Sequence, residues 1–196
     1  MASSRQLVLA SSSKYRRALL ARLGLPFECV HAGVDEAEIA GEAPADTALR
    51  LSVLKARAVA QRFPRALVIG SDQVASCDGV RLGKPGNYAN AVRQLESMSA
   101  RTTTFATAVT VLDAASSRVG SRVVPCRVTF RELTRAQIEA YLIREQPYDC
   151  AGSAKAEGLG IALIARIDTE DPTSLIGLPL IALAELLAEA GLPVIG

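Results

Sequence analysis

Residues 66–73 read ALVIGSDQ, and this stretch indicates the fold most clearly. Its first five residues form a continuous apolar run, which is typical of a central strand that is covered on both faces. Asp72 follows the run and is expected just past the carboxyl end of the strand. Open α/β sheets bind ligands in the crevice outside the carboxyl ends of their strands, so Asp72 is a candidate functional group.

Helices and strands flank this stretch on both sides, without regular βαβ alternation after the middle of the chain. Apolar spacing predicts further strands over residues 7–10, 103–112, 119–130 and 158–167, the middle two forming a long hairpin. Spacing and capping residues predict helices over residues 14–23, 45–62, 87–98, 135–145 and 179–190. Asp46 is the expected N-cap of the second helix, Thr134 and Gln137 form a capping box, and Asp78-Gly79 signals a tight turn. The pattern predicts α/β architecture, with one mixed twisted sheet and helices on its faces.

The composition limits the class of protein. The chain has 196 residues, of which 49% are hydrophobic and 21% are charged, and its formal net charge is +2. Such a chain can bury enough apolar surface to fold, and we expect a single domain over residues 1–196 without a linker. The nearly balanced charge gives no bulk support for nucleic-acid binding. We see no signal peptide and no membrane span, so a cytoplasmic protein is expected.

The reactive side chains narrow the chemistry further. His31 is the single histidine, and no motif surrounds it, so a Ser–His or Cys–His nucleophile is not indicated. The four cysteines form no CxxC pair and are expected to be small buried residues, at positions 29, 77, 126 and 150. Chemistry must therefore depend on carboxylates, lysines and a metal, which suits hydrolysis of phosphoanhydrides.

Several cationic and hydroxyl side chains could bind phosphate. Ser11-Ser12-Ser13 and Arg16 stand at the expected start of the first helix, where free backbone N–H groups attract anions. Lys55 and Lys84 could each carry a positive charge to a phosphate chain. Taken alone, the serines fit an ordinary N-cap equally well, and both lysines fit the protein surface.

The carboxylates suggest a metal site. Asp35 and Glu36 are adjacent in a loop, and paired carboxylates suit Mg²⁺ or Mn²⁺, which prefer oxygen ligands. Asp72 could hold a divalent metal or act as a general base on water, and Gln73 could contact the edge of a base. Taken alone, Asp72 also fits a turn, and the adjacent pair also fits a solvated loop.

A glycine-rich loop reads AGSAKAEGLG over residues 151–160. Glycine and serine allow backbone to approach a ligand closely. Lys155 could bind phosphate, and Glu157 could accept hydrogen bonds from a purine or balance a cationic base. The same loop also fits a flexible connector between strands.

The order of these motifs is more specific than any one of them. From about residue 7 to residue 187 the chain resembles the Maf family, on the motifs LASxSxxR from residue 9, VDE at 34, KA at 55, GSDQV at 70, GKP at 83, AGSxKxEG at 151 and GLPL at 177. The resemblance implies a metal-dependent nucleoside triphosphate pyrophosphatase, a hydrolase that releases pyrophosphate and a nucleoside monophosphate. It also implies two lobes around a cleft, a fold similar to that of the inosine-triphosphate pyrophosphatases, and often a homodimer.

The resemblance also implies roles for individual residues. Asp72 matches the proton acceptor of the family. The positions that set base specificity are matched by Tyr15, Gln73 and Glu157. The phosphate and metal cluster is matched by Ser11, Arg16, Glu36, Lys55 and Lys84, to which the loop motifs add Ser13 and Lys155 for phosphate. Glu36 and Asp72 are the expected ligands of a Mg, Mn or Co cation.

The Ser-Asp-Gln triplet together with Glu157 looks like the branch that acts on 7-methyl-GTP. N7-methylation makes guanine cationic, so a carboxylate at Glu157 favours it, and Tyr15 could stack on the charged ring. Three positions depart from the family pattern: Lys14 replaces the usual proline, Ala154 a frequent Phe, and Tyr15 a frequent Trp. Two alternatives stay open, a dTTP/UTP pyrophosphatase and a nucleotide-binding regulatory protein without turnover.

Overall fold

A computed structural model describes residues 5–196 of the chain. The strands are β1 (Leu7–Leu9), β2 (Glu28–Cys29), β3 (Leu67–Cys77), β4 (Val80–Leu82), β5 (Thr102–Asp113), β6 (Arg118–Phe130) and β7 (Ile164–Thr169). The helices are α1 (Lys14–Ala21), α2 (Pro44–Ala60), α3 (Tyr88–Met98), α4 (Arg135–Glu145) and α5 (Leu180–Glu189). Within the described residues the strands form one seven-stranded sheet in the order β2-β1-β3-β5-β6-β7, with β4 paired to β3. The predicted mixed α/β architecture is confirmed, since β1 pairs in parallel with β2 and β3, whereas β4 and β7 pair antiparallel.

The chain divides into two compact units. Unit 1 comprises the segments up to Gln73, Thr107–Val124 and Asp171–Gly196, and unit 2 comprises Val74–Ala106 and Pro125–Glu170. Three of the boundaries fall inside strands, namely β3, β5 and β6. No helix within residues 5–196 has the length and apolar character needed to cross a bilayer.

The apolar core of unit 1 lies on both faces of its parallel strands. Leu67 and Ile69 of β3 belong to one buried cluster, which includes α5, and Val68 belongs to a second cluster, which includes α2. Successive side chains of a strand point to opposite faces, so a continuous apolar run is what a strand covered on both sides requires. The prediction made from residues 66–70 is therefore confirmed.

Strand β3 is longer than predicted. It continues through Asp72 to Cys77, and its second half pairs antiparallel with β4 in the register Ala75↔Leu82. Asp72 therefore lies inside the strand, and its expected place past the strand end is wrong. The apolar run predicts only the first half of β3, which is buried. The second half forms a strand by pairing with β4, and an apolar run does not predict that pairing. Asp78 and Gly79 form the tight turn with φ of 48° and 79°, as predicted.

Two further boundaries differ from the prediction. Residues Leu159–Leu163 form a 3-10 helix and β7 begins only at Ile164, so the strand predicted from residue 158 is wrong over its first half. A Cβ at Gly160 would lie 2.5 Å from the Lys155 carbonyl oxygen, and this tight packing requires a turn rather than a strand. Helix α2 has Ala43 as its N-cap and Pro44 at its start, so Asp46 lies in the first turn instead of capping it.

Unit 2 contains α3 and α4, which pack against each other. Its buried apolar side chains come from both helices and from the strands, and they include Leu95, Met98, Phe105, Val128, Phe130, Ile138 and Leu142. The predicted capping box of α4 is present, because Thr134 accepts from the Gln137 backbone and Gln137 accepts from the Thr134 backbone. All four cysteines are free thiols; Cys77 and Cys126 are buried as expected, whereas the other two are half-buried.

Candidate functional site

A buried lysine joins two carboxylates in unit 1. The Lys55 ammonium Nζ lies 2.6 Å from Oδ1 of Asp72 and 2.9 Å from Oε1 of Glu36. The side chains of Lys55 and Asp72 are only 8% and 10% exposed, whereas that of Glu36 is 56% exposed. A buried charge requires a partner of opposite sign, and this lysine has two. The structure thus brings together three of the predicted site residues from α2, β3 and the loop after β2.

Gly70 explains how α2 comes close enough for this contact. A Cβ at Gly70 would lie 2.0 Å from the Ser52 carbonyl oxygen and 3.0 Å from Cβ of Ala56. Only a glycine in the strand leaves room for the α2 backbone at this point. Lys55 is the residue before Ala56 on the helix. The close packing of Ala56 against Gly70 therefore brings the Lys55 side chain within hydrogen-bond distance of Asp72. The sequence placed this glycine at the end of an apolar run and at the start of the GSDQV motif, but it did not predict the close packing against α2.

The serines at the start of α1 cap the helix. Oγ of Ser13 accepts from the backbone N–H of Arg16 at 3.3 Å, and Oγ of Ser11 accepts from the backbone N–H of Ser13 at 3.1 Å. The ordinary N-cap role that the sequence left open is therefore present. It does not use the hydroxyl protons, which can still be donated to an anion.

Arg16 belongs to the same charge cluster. Its Nε donates to the Gly177 carbonyl oxygen at 2.8 Å. Burial lowers the pKa of the Arg16 guanidinium, and the negative charges of Asp72 and Glu36 act in the opposite direction. The cluster in unit 1 therefore combines two cations with two carboxylates around the start of α1 and the middle of β3.

The two residues of unit 1 that were predicted to contact a base differ in their surroundings. Nε2 of Gln73 donates to Oγ1 of Thr107 at 2.9 Å and to the carbonyl oxygens of residues 174 and 175 at 2.9 and 3.2 Å. These contacts fix the orientation of the amide, so the Gln73 side chain can offer a ligand its oxygen. Tyr15 is half-buried, and the Lys14 ammonium lies 4.9 Å from the centre of its ring.

Two residues that were assigned no individual role from the sequence hold the loop before α5. Ser71 donates to the Gly177 carbonyl oxygen at 2.9 Å, the atom that also accepts from Arg16. Asp171 is buried and accepts from Thr173 and from the backbone N–H of Ile181 at 2.7 Å, at the start of α5. The sequence Asp-Pro-Thr-Ser from residue 171 has the side chains that commonly bond to nearby backbone in turns, and it could have indicated Asp171.

The other three predicted site residues lie in unit 2. Lys84 is exposed between β4 and α3, and Glu157 is exposed in the loop before β7. Lys155 is not a free cation, because its Nζ lies 2.6 Å from Oε1 of Glu145 on α4. In the same loop, Oγ of Ser153 donates to Oε1 of Gln94 on α3.

The carboxylates near Lys55 could supply metal ligands, though not a complete set. Within residues 5–196 no group of three or more His, Cys, Asp or Glu side chains is arranged to hold a metal. Mg²⁺ is commonly bound by one or two carboxylates together with the phosphates of a substrate and water. Glu36 and Asp72 fit that mode, because they provide two hard oxygen donors beside a cationic cluster.

Known proteins are similar to this chain over nearly its whole length. A family model described as Maf-like protein matches residues 6–190. A protein of Methylobacillus flagellatus is 56% identical over 96% of this chain and 98% of its own, and one of Thiobacillus denitrificans is 56% identical over 98% and 96%. Both relatives are named 7-methyl-GTP pyrophosphatase. A solved HAM1 protein from Coxiella burnetii has a TM-score of 0.44 and 16% identity, over 81% of this chain and 98% of that chain.

Proposed function

Since the chain belongs to the Maf-like protein family, we propose that it hydrolyses 7-methyl-GTP to 7-methyl-GMP and pyrophosphate. Relatives with that activity in their names are 51–56% identical to it over nearly the full length of both chains. The structural observation that supports the proposal most is the buried Lys55–Asp72 pair, with its contact to Glu36. It places a candidate base beside cations that can neutralise phosphate.

Asp72 is the proposed general base. Its Oδ1 accepts from Lys55, and within the described part of the chain its Oδ2 has no hydrogen-bond partner and can accept a proton. In the proposed step a water loses its proton to Asp72, and the water oxygen forms a bond to the α-phosphorus. The bond between this phosphorus and the bridging oxygen breaks, and pyrophosphate leaves. Lys55 holds the carboxylate in one orientation, as a base in a hydrolase requires.

The cations and the start of α1 are proposed to bind the triphosphate. Arg16 and Lys55 can offset charge on the transferred phosphoryl group, which is where phosphoryl transfer gains most of its acceleration. The Ser11 and Ser13 hydroxyls add donors for phosphate oxygens. The family resemblance leads us to propose Lys84 as a further phosphate ligand.

We also propose that a divalent cation, Mg²⁺, Mn²⁺ or Co²⁺, takes part. Glu36 and Asp72 would hold it together with the phosphates of the substrate. Such an ion supplies charge neutralisation at the phosphate oxygens and makes a bound water more acidic. Lys55 contacts one oxygen of each carboxylate, so the second oxygen of Glu36 and the second lone pair of Asp72 Oδ2 remain for a metal.

Base selection is proposed to depend on three side chains. The oriented amide of Gln73 presents an acceptor oxygen, which suits the N–H groups on the Watson–Crick edge of guanine. Glu157 carries a negative charge that favours the cationic 7-methylguanine over guanine. Tyr15 offers an aromatic ring for stacking on the charged base.

The experiment that tests this function measures pyrophosphate release from 7-methyl-GTP, GTP, UTP and dTTP side by side, with and without Mn²⁺ or Mg²⁺. Metal-dependent release with a strong preference for 7-methyl-GTP is expected. Preference for UTP and dTTP would agree with the proposed hydrolysis but contradict the proposed nucleobase specificity. Binding without release from any of the four would identify a nucleotide-binding protein instead.

The family resemblance also leads us to propose that the protein acts in the cytoplasm, as a homodimer, on a small nucleotide rather than on nucleic acid. The formal net charge of +2 agrees with a nucleotide substrate, because nucleic-acid binding usually needs a strongly basic surface. Light scattering of the purified protein tests the dimer, with a mass of twice 20.6 kDa expected.

A further inference from the structure

The loop that carries Glu157 is attached to α4 on both sides of that residue. Nζ of Lys155, two residues before Glu157, lies 2.6 Å from Oε1 of Glu145. The backbone N–H of Leu159, two residues after Glu157, donates to Oε2 of Glu145 at 2.8 Å. One carboxylate therefore closes the five-residue turn from Lys155 to Leu159.

The turn packs closely against side chains of α4. A Cβ at Gly158 would lie 2.8 Å from Oε2 and 2.9 Å from Oε1 of Glu145. Tyr141, four residues before Glu145 on α4, accepts from the backbone N–H of Lys155 through its hydroxyl at 3.0 Å. Side chains of α4 thus hold both ends of the turn, and Glu157 lies exposed at its middle.

The charges at this contact are well matched. The side chain of Glu145 is 14% exposed and that of Lys155 is 28% exposed, so both charges are partly shielded from water. The hydrogen bonds from Lys155 and from the Leu159 backbone lower the pKa of Glu145, and the bond to Glu145 raises the pKa of Lys155. Both groups are therefore charged at neutral pH.

From these contacts we infer that Glu145 is a positioning residue that fixes the turn at residues 155–159 and so fixes the position of Glu157, the residue proposed to select a cationic base. Lys155 acts through Glu145 in this assignment, rather than on a phosphate. The inference rests on the proposed function, because it explains how the turn contributes to preference for a cationic base. It adds Glu145 to the residues that determine specificity.

A double-mutant cycle distinguishes two alternative roles of Lys155, contact with Glu145 and direct binding of phosphate. The variants are Glu145→Gln, Lys155→Met and the double variant, with Glu139→Gln as the control, since Glu139 lies on the same helix in a surface pair with Arg135. The measured quantity is the ratio of kcat/KM for 7-methyl-GTP to that for GTP. A displaced recognition group commonly costs tenfold or more, so we expect this ratio to fall about tenfold in each single variant and no further in the double variant. The control should keep the wild-type ratio.

Two results of the cycle would overturn the inference. The first is an unchanged ratio in Glu145→Gln. The second is a loss in Lys155→Met that is equal for both nucleotides and adds in full to that of Glu145→Gln, which would identify Lys155 as a direct phosphate ligand.

Amide hydrogen exchange keeps the inference testable if the wild-type protein does not hydrolyse 7-methyl-GTP. The Leu159 amide should exchange about tenfold faster in Glu145→Gln than in the wild-type protein, since its acceptor changes from a charged carboxylate to a neutral amide. Equal exchange rates in the two proteins would reject the role of Glu145. Absence of turnover by the wild-type protein would instead reject the proposed function, and the exchange result would still decide whether Glu145 fixes the turn.

Discussion

Lys55 and Lys155 were both predicted to bind phosphate, and they lie in very different surroundings. Lys55 is 8% exposed and contacts two carboxylates, one of which is the candidate base. Lys155 is 28% exposed and contacts one carboxylate that also accepts from backbone. A lysine in a motif can therefore hold a reactive carboxylate or shape a loop, and its partners decide which.

The largest effect should come from Asp72, the proposed base beside Lys55. We expect Asp72→Asn to lower kcat for 7-methyl-GTP by about 10²–10⁴-fold, because the amide cannot accept a proton from water. Steady-state pyrophosphate release measures this change. Asp46→Asn, an exposed substitution in the first turn of α2, is the matched control and should leave kcat unchanged. Near-normal activity in Asp72→Asn would remove Asp72 from its role.

The second prediction compares how much each of the two lysines contributes to the free energy of unfolding. We expect Lys55→Met to lower the free energy of unfolding by about 3–5 kcal/mol, because it leaves the buried Asp72 without its cation. Lys155→Met removes a more exposed pair and should cost less than about 1 kcal/mol. Urea unfolding of both variants measures the difference. Equal losses would show that the contrast in burial has no energetic consequence.

The packing that brings Lys55 to Asp72 can be disturbed at Gly70. We expect Gly70→Ala to lower the free energy of unfolding by about 1–3 kcal/mol or more, because the new methyl group would meet the Ser52 carbonyl oxygen at 2.0 Å. Gly83→Ala is the matched control, since a Cβ there has nothing within 4 Å. Urea unfolding of the two variants should therefore differ, and similar midpoints would mean that α2 does not depend on this glycine.

The smallest expected effect is the pH dependence of the stability that the ion pair between Lys155 and Glu145 contributes. The pKa of Glu145 lies below its ordinary value of 4.5, so the stability that its charge contributes is present above that value and is lost as the pH falls through the lowered pKa. Thermal unfolding of the wild type and Glu145→Gln should show a constant difference near neutral pH that shrinks in acid. A difference that grows in acid would have the wrong sign for this carboxylate.

The sequence predicted local features well where a residue type strongly prefers one kind of local structure. The apolar run of β3, the Asp78-Gly79 turn and the Thr134 capping box depend on neighbours in the chain, and the structure confirms them. The first half of the strand predicted from residue 158 was wrong, because the close approach of Gly160 to Lys155 depends on how the loop folds back. Local patterns do not record such contacts.

The sequence predicted which residues belong to the candidate site better than it predicted which side chains contact one another. The order of motifs brought Glu36, Lys55 and Asp72 into one hypothesis, and the structure places them in contact. Nothing in the sequence showed that the Gln73 amide nitrogen is used within unit 1, or that Glu145 pairs with Lys155. Those pairings join residues that are distant in the chain, and charge patterns alone leave too many choices.

The proposed reaction is attack of water on the α-phosphorus of 7-methyl-GTP, with Asp72 as the base. Hydrolysis in water enriched in oxygen-18, followed by mass spectrometry of both products, tests it most directly. We expect one labelled oxygen in 7-methyl-GMP, none in pyrophosphate, and loss of this reaction in Asp72→Asn. Label in pyrophosphate, or release of inorganic phosphate in place of pyrophosphate, would contradict it.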